Sequence, residues 1–375
     1  MRAHDRLRIV VIAPLRFPIR PPHPGGLESA VWSEVTALRR RGHEVDMVAV
    51  AGSDFVEPGS PFELPVLDWP AGMSRTDVSY PHSYEATTVP ALEHALAAIA
   101  AAADRLDVIS NHCLHPLPIR RASMLGVPML TTLHTPPDDD VIAAQAAAGP
   151  TGSGFVSVSD FTRREWARAG LRSELLANGV DPSAWPEGAG GERLVWFGRI
   201  VPEKAPHLAV EVARRLGRSL TIAGRIGDRD YAEKTLGPLL GEDIRYVGPL
   251  APSPLAALVG ASAAALSTPA WAEPFGLVAP EALMCGTPVV SFAVGGVPEV
   301  AVRSVGMELV PPGDLSAMAE RVEHLITRSA EDASFRRRIR ASAVRRFSLD
   351  ARIEALESRF AELVAGDRLA DELTA

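Results

Sequence analysis

Only two cysteines, Cys113 and Cys285, occur among 375 residues, so the chain has no disulfide framework to lean on. Lysine is nearly as scarce. Of 38 basic residues only Lys204 and Lys234 are lysine, a bias that fits Arg-rich codon usage and draws notice to Lys204. Long apolar runs are missing too: the stretch after the charged residues 1–8 ends at Pro14, too short to cross a bilayer, and no small-residue cleavage site follows it. A cytoplasmic protein is the expectation. The net charge of −8 gives no overall attraction to nucleic acid. Neither Gly-x-Gly-x-x-Gly nor a Walker motif is present, which removes the usual ground for a dinucleotide or ATP site.

What is present is one pattern used twice. Apolar, β-branched runs at 7–13, 45–50, 108–109, 129–133 and 155–158 alternate with helix-spaced segments such as 27–41, ending in basic residues and Gly42. A second series runs from Leu194: strands at 194–197, 220–223, 244–247, 264–267 and 289–292, with helices at 207–216, from Pro254 and at 276–284. Three helical stretches, at 315–327, 330–347 and 350–363, close the chain. This order predicts an α/β protein of two doubly wound, Rossmann-like domains facing each other across a cleft. Residues 1–178 form the first domain and 179–348 the second, with the turn-rich segment 178–191 as a linker.

Glu273 and Glu281 flank a chain break at Pro274 and Gly276 followed by a helical run. Free N–H groups should gather at 275–278, the kind of terminus that attracts phosphate. Glu273 could accept from hexose hydroxyls and Glu281, more than a turn inside the helix, from a ribose. Arg199 and Lys204 follow a strand and precede a helix, where a guanidinium fork and a point charge can share a diphosphate. Pro24-Gly25-Gly26-Leu27-Glu28 resembles a phosphate loop, though Gly-Gly before a helix is often only a turn. His134 ends a strand; His112 and His115 have no metal-ligand spacing with it. Asp138-Asp139-Asp140 reads as an exposed loop in preference to a metal motif, and Ser159 as the cap of the helix from Asp160.

Together these segments resemble the retaining GT-B glycosyltransferases of family four, most specifically over 197–204 and 271–299. The resemblance implies that Glu273 contacts donor-sugar hydroxyls, Glu281 the ribose, Arg199 and Lys204 the diphosphate, and the backbone of Phe275, Gly276, Leu277 and Val278 the sugar and phosphates. Gly25 and Gly26 approach the donor from the first domain, and His134 lies beside the transferred sugar. Trp271 and the segment around Val247 shape the donor pocket. The catalytic set is then His134, Glu273, Arg199 and Lys204. The resemblance further implies a last helix, about 349–375, crossing back onto the first domain, and no metal or other cofactor. Many relatives carry an Asp-Gly turn where this chain has Val302-Arg303-Ser304-Val305-Gly306.

The partners implied are a UDP- or GDP-linked sugar and a sugar, lipid or small-molecule acceptor read by loops around 16–24 and 69–90. Arg39-Arg40-Arg41 could touch a membrane surface or complement a helix C-terminus. Sugar-nucleotide epimerase or hydrolase chemistry, and nucleotide-sugar binding without turnover, are the competing readings.

Overall fold

The computed structural model describes residues 6–70, 73, 79–149 and 153–374, with side chains up to Gly366. Of the acceptor segment expected at 69–90, residues 71–72 and 74–78 lie outside the described residues. The chain divides into two compact units, and the division falls between Ala177 and Asn178.

The first unit is built on strands β1 (Arg8–Ile12), β2 (Glu44–Val50), β3 (Glu63–Leu64), β4 (Val108–Asn111), β5 (Met129–Leu133), β6 (Gly154–Ser157) and β7 (Glu174–Leu175). They form one parallel sheet in the order β3-β2-β1-β4-β5-β6-β7. Its helices are α1 (Gly26–Arg40), α2 (Tyr84–Ala101), α3 (Leu117–Arg121), α4 (Asp139–Ala148) and α5 (Asp160–Arg168). Side-chain alternation sorts β1 between two cores: Val10 and Ile12 pack with Leu92, Ile99 and Trp166, while Ile9 and Val11 pack with Val31, Val35 and Leu38 of α1.

The second unit repeats the plan with β8 (Leu194–Phe197), β9 (Leu220–Ala223), β10 (Ile244–Tyr246), β11 (Ala264–Ser267), β12 (Val289–Phe292) and β13 (Met307–Val310). Their order is β10-β9-β8-β11-β12-β13, parallel throughout. The connecting helices are α6 (Pro206–Arg215), α7 (Arg229–Tyr231), α8 (Pro252–Gly260), α9 (Val278–Met284), α10 (Val297–Ala301), α11 (Leu315–Glu331) and α12 (Phe335–Phe347). In both sheets the order reverses beside the first strand, which puts a switch point at the carboxyl ends of β1/β4 and of β8/β11. The chain then returns to the first unit as α13 (Leu349–Thr374), whose Ile353, Leu356 and Phe360 complete the core around α1. Among the described residues no helix is long and apolar enough to cross a membrane.

Three expectations are corrected. Residues 178–191 are docked on the second unit: Gly188 and Gly190 donate to the carbonyls of Cys285 and Gly260 at 3.0 and 2.9 Å, and a Cβ on Gly188 would lie 2.2 Å from the Gly260 oxygen. These glycines serve close backbone approach, not looseness. The Asp run opens a helix, Asp138 capping α4 by accepting from the N–H groups of Asp140 and Val141. The Arg cluster stands at the C-terminus of α1 as expected, Arg39 and Arg40 in its last turn and Arg41 as its C-cap, and there Arg41 forks onto Glu357 at 2.7 and 2.8 Å, Arg40 reaches Asp350 and Arg39 donates to the Val45 carbonyl. Finally, α9 starts at Val278, so Glu281 sits in its first turn. Ser159 caps α5 as expected, accepting from the Thr162 N–H.

Arg303, in the 302–306 segment, is exposed with φ +61, a conformation unfavourable for any residue with a Cβ. It also repels Arg346, whose pKa is lowered first by burial and then by Arg303. Arg303→Gly is therefore expected to stabilise the chain by about 0.5–1 kcal/mol, net of the extra chain entropy of glycine. Denaturant midpoints check this, and a lowered midpoint for the variant would contradict it.

Candidate donor-binding site

The loop after β8 is shaped by glycine contact and then stitched to the loop after β11. Gly198 has φ +150, and a Cβ on Gly224 would lie 1.7 Å from its carbonyl oxygen, so only glycine lets the ends of β8 and β9 close up. Further along, Trp196 Nε1 donates to Thr268 Oγ1 at 3.1 Å, and that hydroxyl faces the carbonyls of Lys204 and Ala205 at 3.1 and 3.0 Å. The Ala270 N–H donates to the Glu203 carbonyl at 2.8 Å. These bonds fix the backbone of Lys204 beside the segment that carries Glu273.

The result is an ion pair. The Lys204 ammonium donates to Glu273 Oε2, Trp271 Nε1 donates to the same oxygen at 2.9 Å, and Lys204 Nζ lies 5.2 Å from the centre of the Trp271 ring. Both partners are largely buried, with 20% and 13% of their side chains exposed. Glu273 Oε1 has no hydrogen bond among the described residues. The Glu273 backbone is held as firmly: its carbonyl accepts from the Gly296 N–H at 2.7 Å, and Gly295, with φ +56, leaves no room for a Cβ, which would fall 2.2 Å from that oxygen. The Gly-Gly turn before α10 thus clasps Glu273. Arg199 is mostly buried in the same loop, its guanidinium 3.8 Å from Glu203.

Between Glu273 and α9 the backbone turns at Gly276, φ +85, with the Phe275 side chain buried. The first N–H groups with partners are those of Ala279 and Glu281, donating to the carbonyls of Gly276 and Leu277. Those of Phe275, Gly276, Leu277 and Val278 have none among the described residues. Four consecutive donors are left open, a polar cradle without an acceptor. Glu281 follows, partly buried and with no hydrogen-bond or ion-pair partner among the described residues; burial pushes its carboxyl up to about 8. Val247 directly follows β10 at the same carboxyl edge of the sheet, 43% exposed.

In the first unit Gly25 is the extended N-cap of α1 and Gly26 its first residue. His134 directly follows β5 and is joined by a 2.8 Å hydrogen bond to His112, which follows β4. Behind His112 lie Glu34 of α1 and Arg352 of α13, both buried. Sequence reasoning missed these two. The signal was available for Glu34, which occupies a helix position between the buried Val31, Val35 and Leu38.

The second of two doubly wound parallel sheets thus carries cations, carboxylates and open N–H groups at its switch point. The chain belongs to a glycosyltransferase family: residues 24–184 match the model for Glycosyltransferase Family 4 and residues 182–343 that for Glycosyl transferases group 1. Glycogen synthase of Mycobacterium tuberculosis is 29% identical over 280 residues, 64% of this chain and 64% of its own length. D-inositol 3-phosphate glycosyltransferase of Mycobacterium bovis is 39% identical over 144 residues, 36% of this chain and 30% of its own length. The match thus spans less than two thirds of these curated relatives. Among solved structures, sucrose-phosphate synthase from Thermosynechococcus elongatus superposes with a TM-score of 0.76 at 20% identity, over 96% of this chain and 100% of that one. Anabaena HepE, solved with UDP-glucose, gives 0.70 at 19% identity over 96% and 100%. These likenesses establish the GT-B fold.

Proposed function

We propose that the chain moves a hexose from a nucleoside-diphosphate sugar to an acceptor hydroxyl, with retention of configuration and without a metal ion. The observation that carries this is the grouping in one unit of the Lys204–Glu273 pair, the four open N–H groups at 275–278 and the unpartnered Glu281. Diphosphate oxygens accept from the backbone cradle and from Arg199 and Lys204. Sugar hydroxyls donate to Glu273 Oε1, and ribose hydroxyls to Glu281. As the bond from the anomeric carbon to phosphate oxygen breaks, charge grows on the phosphate, where the cations and fixed N–H dipoles stabilise it most. The acceptor oxygen bonds the anomeric carbon from the same face, and its proton passes to the departing phosphate oxygen. HepE was solved with UDP-glucose, which makes that the first donor to try.

Calorimetric titration of UDP and GDP in excess EDTA, followed by nucleoside diphosphate release from UDP-glucose and GDP-mannose with sugar and lipid acceptors, tests the reading. One nucleotide should bind without metal, release should require acceptor, and proton NMR of the fresh product should show retained configuration. Acceptor-independent release points to hydrolysis, conversion of the sugar nucleotide without release to epimerisation, and binding without any turnover to a non-catalytic protein. Strict dependence of nucleotide binding on a divalent cation would refute the metal-free site.

A further inference from the structure

Thr268 directly follows β11 and is buried, and its one hydroxyl serves three groups. It accepts from Trp196 Nε1 at 3.1 Å, which leaves its single proton for the carbonyls of Lys204 and Ala205, at 3.1 and 3.0 Å. One proton can be shared by two successive carbonyls only if they point the same way. They do so in a helical turn and not in extended backbone, and the angle between this pair is set by φ and ψ of Ala205.

Ala205 takes the left-handed turn, with φ +46 and ψ +52. This is unfavourable on two counts: a Cβ crowds the following carbonyl there, and Pro206 draws the residue before it towards extended values. The Ala205 N–H bonds to the carbonyls of Val201 and Pro202 at 3.2 and 3.1 Å, but an N–H direction does not depend on its own residue's φ or ψ, so these bonds do not select the hand. The Ala205 carbonyl, which also accepts from the Leu208 N–H at 3.0 Å, does depend on them. Beyond it α6 is anchored in the core by Ala209, Val210 and Val212. The dihedrals of Ala205 therefore decide where the chain just before it stands, and the residue just before it is Lys204. We propose that Thr268, its hydroxyl oriented by Trp196, is a positioning residue that holds Ala205 left-handed and thereby keeps the Lys204 ammonium at Glu273 and Trp271, where a ligand diphosphate can reach it. The diphosphate rests on the function proposed above; the placement of Lys204 does not.

Lysine scarcity makes this directly readable. Full-length protein labelled with 13C at lysine Cε gives two signals, from Lys204 and Lys234, assigned with Lys234→Arg. In wild type the Lys204 signal should be displaced by the Trp271 ring, while that of Lys234 keeps the value of an exposed lysine. Thr268→Val, which keeps the shape and removes the hydroxyl, should bring the Lys204 signal to the exposed value and weaken UDP or GDP about tenfold or more in calorimetry, as for loss of a charge-assisted hydrogen bond. Thr268→Ser should keep both wild-type properties. Ala205→Gly added to Thr268→Val should return the displaced signal and most of the affinity, because glycine takes the left-handed turn without a Cβ penalty. On a Lys204→Met background Thr268→Val should cost no further affinity, which separates a residue acting through Lys204 from one that only supports the fold. Coincident lysine signals in wild type overturn the proposal, as does a Lys204 signal unmoved by Thr268→Val, one not returned by Ala205→Gly, or a further loss of affinity on the Lys204→Met background. Where Thr268→Val alone does not fold, the double variant with Ala205→Gly decides. If wild type binds neither nucleotide, the functional reading falls and the lysine signals alone decide the role of Thr268.

Discussion

Glu273→Gln should lower kcat/KM for the intact sugar nucleotide by about 10- to 150-fold while leaving bare nucleotide binding within a few-fold. The factor corresponds to about 1.5–3 kcal/mol for a charge-assisted hydrogen bond. The asymmetry follows from which oxygen is occupied. Oε2 is taken by Lys204 and Trp271, which leaves Oε1 for the proposed ligand, and the part of the ligand it could serve is a hydroxyl, since a carboxylate repels phosphate. Lys204→Met should show the reverse bias, weakening bare nucleotide as well, because an ammonium serves the diphosphate directly. The two changes should not be additive. Each removes the same Lys204–Glu273 bond, so the double variant should lose less than the sum of the singles. Calorimetry with nucleotide beside steady-state kinetics with sugar nucleotide separates the cases; equal loss of bare-nucleotide affinity from both single changes would mean the roles are misassigned.

The β8 and β11 loops were readable in the sequence because each joins a short apolar strand to a helix through residues with few structural uses. Gly198, Pro274 and Gly276 break the chain, and Lys204 and Glu273 are explained by no core or cap. Strands β5, β8, β9, β11 and β12 were legible to the residue, since buried parallel strands are short continuous apolar runs bounded by turn residues. Helix α4 was hidden because an Asp run has the same composition whether it is solvated loop or N-cap, and only the side-chain bonds of Asp138 decide. The segment 178–191 misled for a related reason. Glycine marks both flexible chain and tight backbone contact, and the contact partners at Gly260 and Cys285 are far along the sequence.

The group of His112, Glu34 and Arg352 behind His134 was out of reach on the same ground. His112 and His134 are 22 residues apart, and Arg352 is 318 from Glu34, so no local spacing signals them. Parallel pairing of β4 with β5 brings the two histidines to adjacent strand ends, and α13 contributes the cation only because its apolar face returns to the first unit.

Glu281→Gln is expected to stabilise the ligand-free protein at alkaline pH and to weaken nucleotide binding, two effects with one cause. Burial without a partner raises the Glu281 carboxyl from 4.5 to about 8, so the folded chain retains a proton that the unfolded chain releases between those values. Its contribution to stability is therefore complete below pH 4.5 and is lost as pH rises towards 8. Glutamine has no proton to lose, so the variant should gain on wild type across that window, by about 1–3 kcal/mol at pH 8.5 given the partial exposure of the group. Nucleotide reverses the balance. In the proposed complex ribose hydroxyls donate to the ionised carboxylate, so binding below pH 8 would expel the proton, and wild-type affinity should climb with pH by up to about tenfold per unit before levelling above 8. Glu281→Gln should bind more weakly and with a flat profile. Calorimetry of UDP and GDP in buffers of different ionisation enthalpy counts the proton directly, and a pH-independent wild-type affinity with no proton released would remove Glu281 from the ribose.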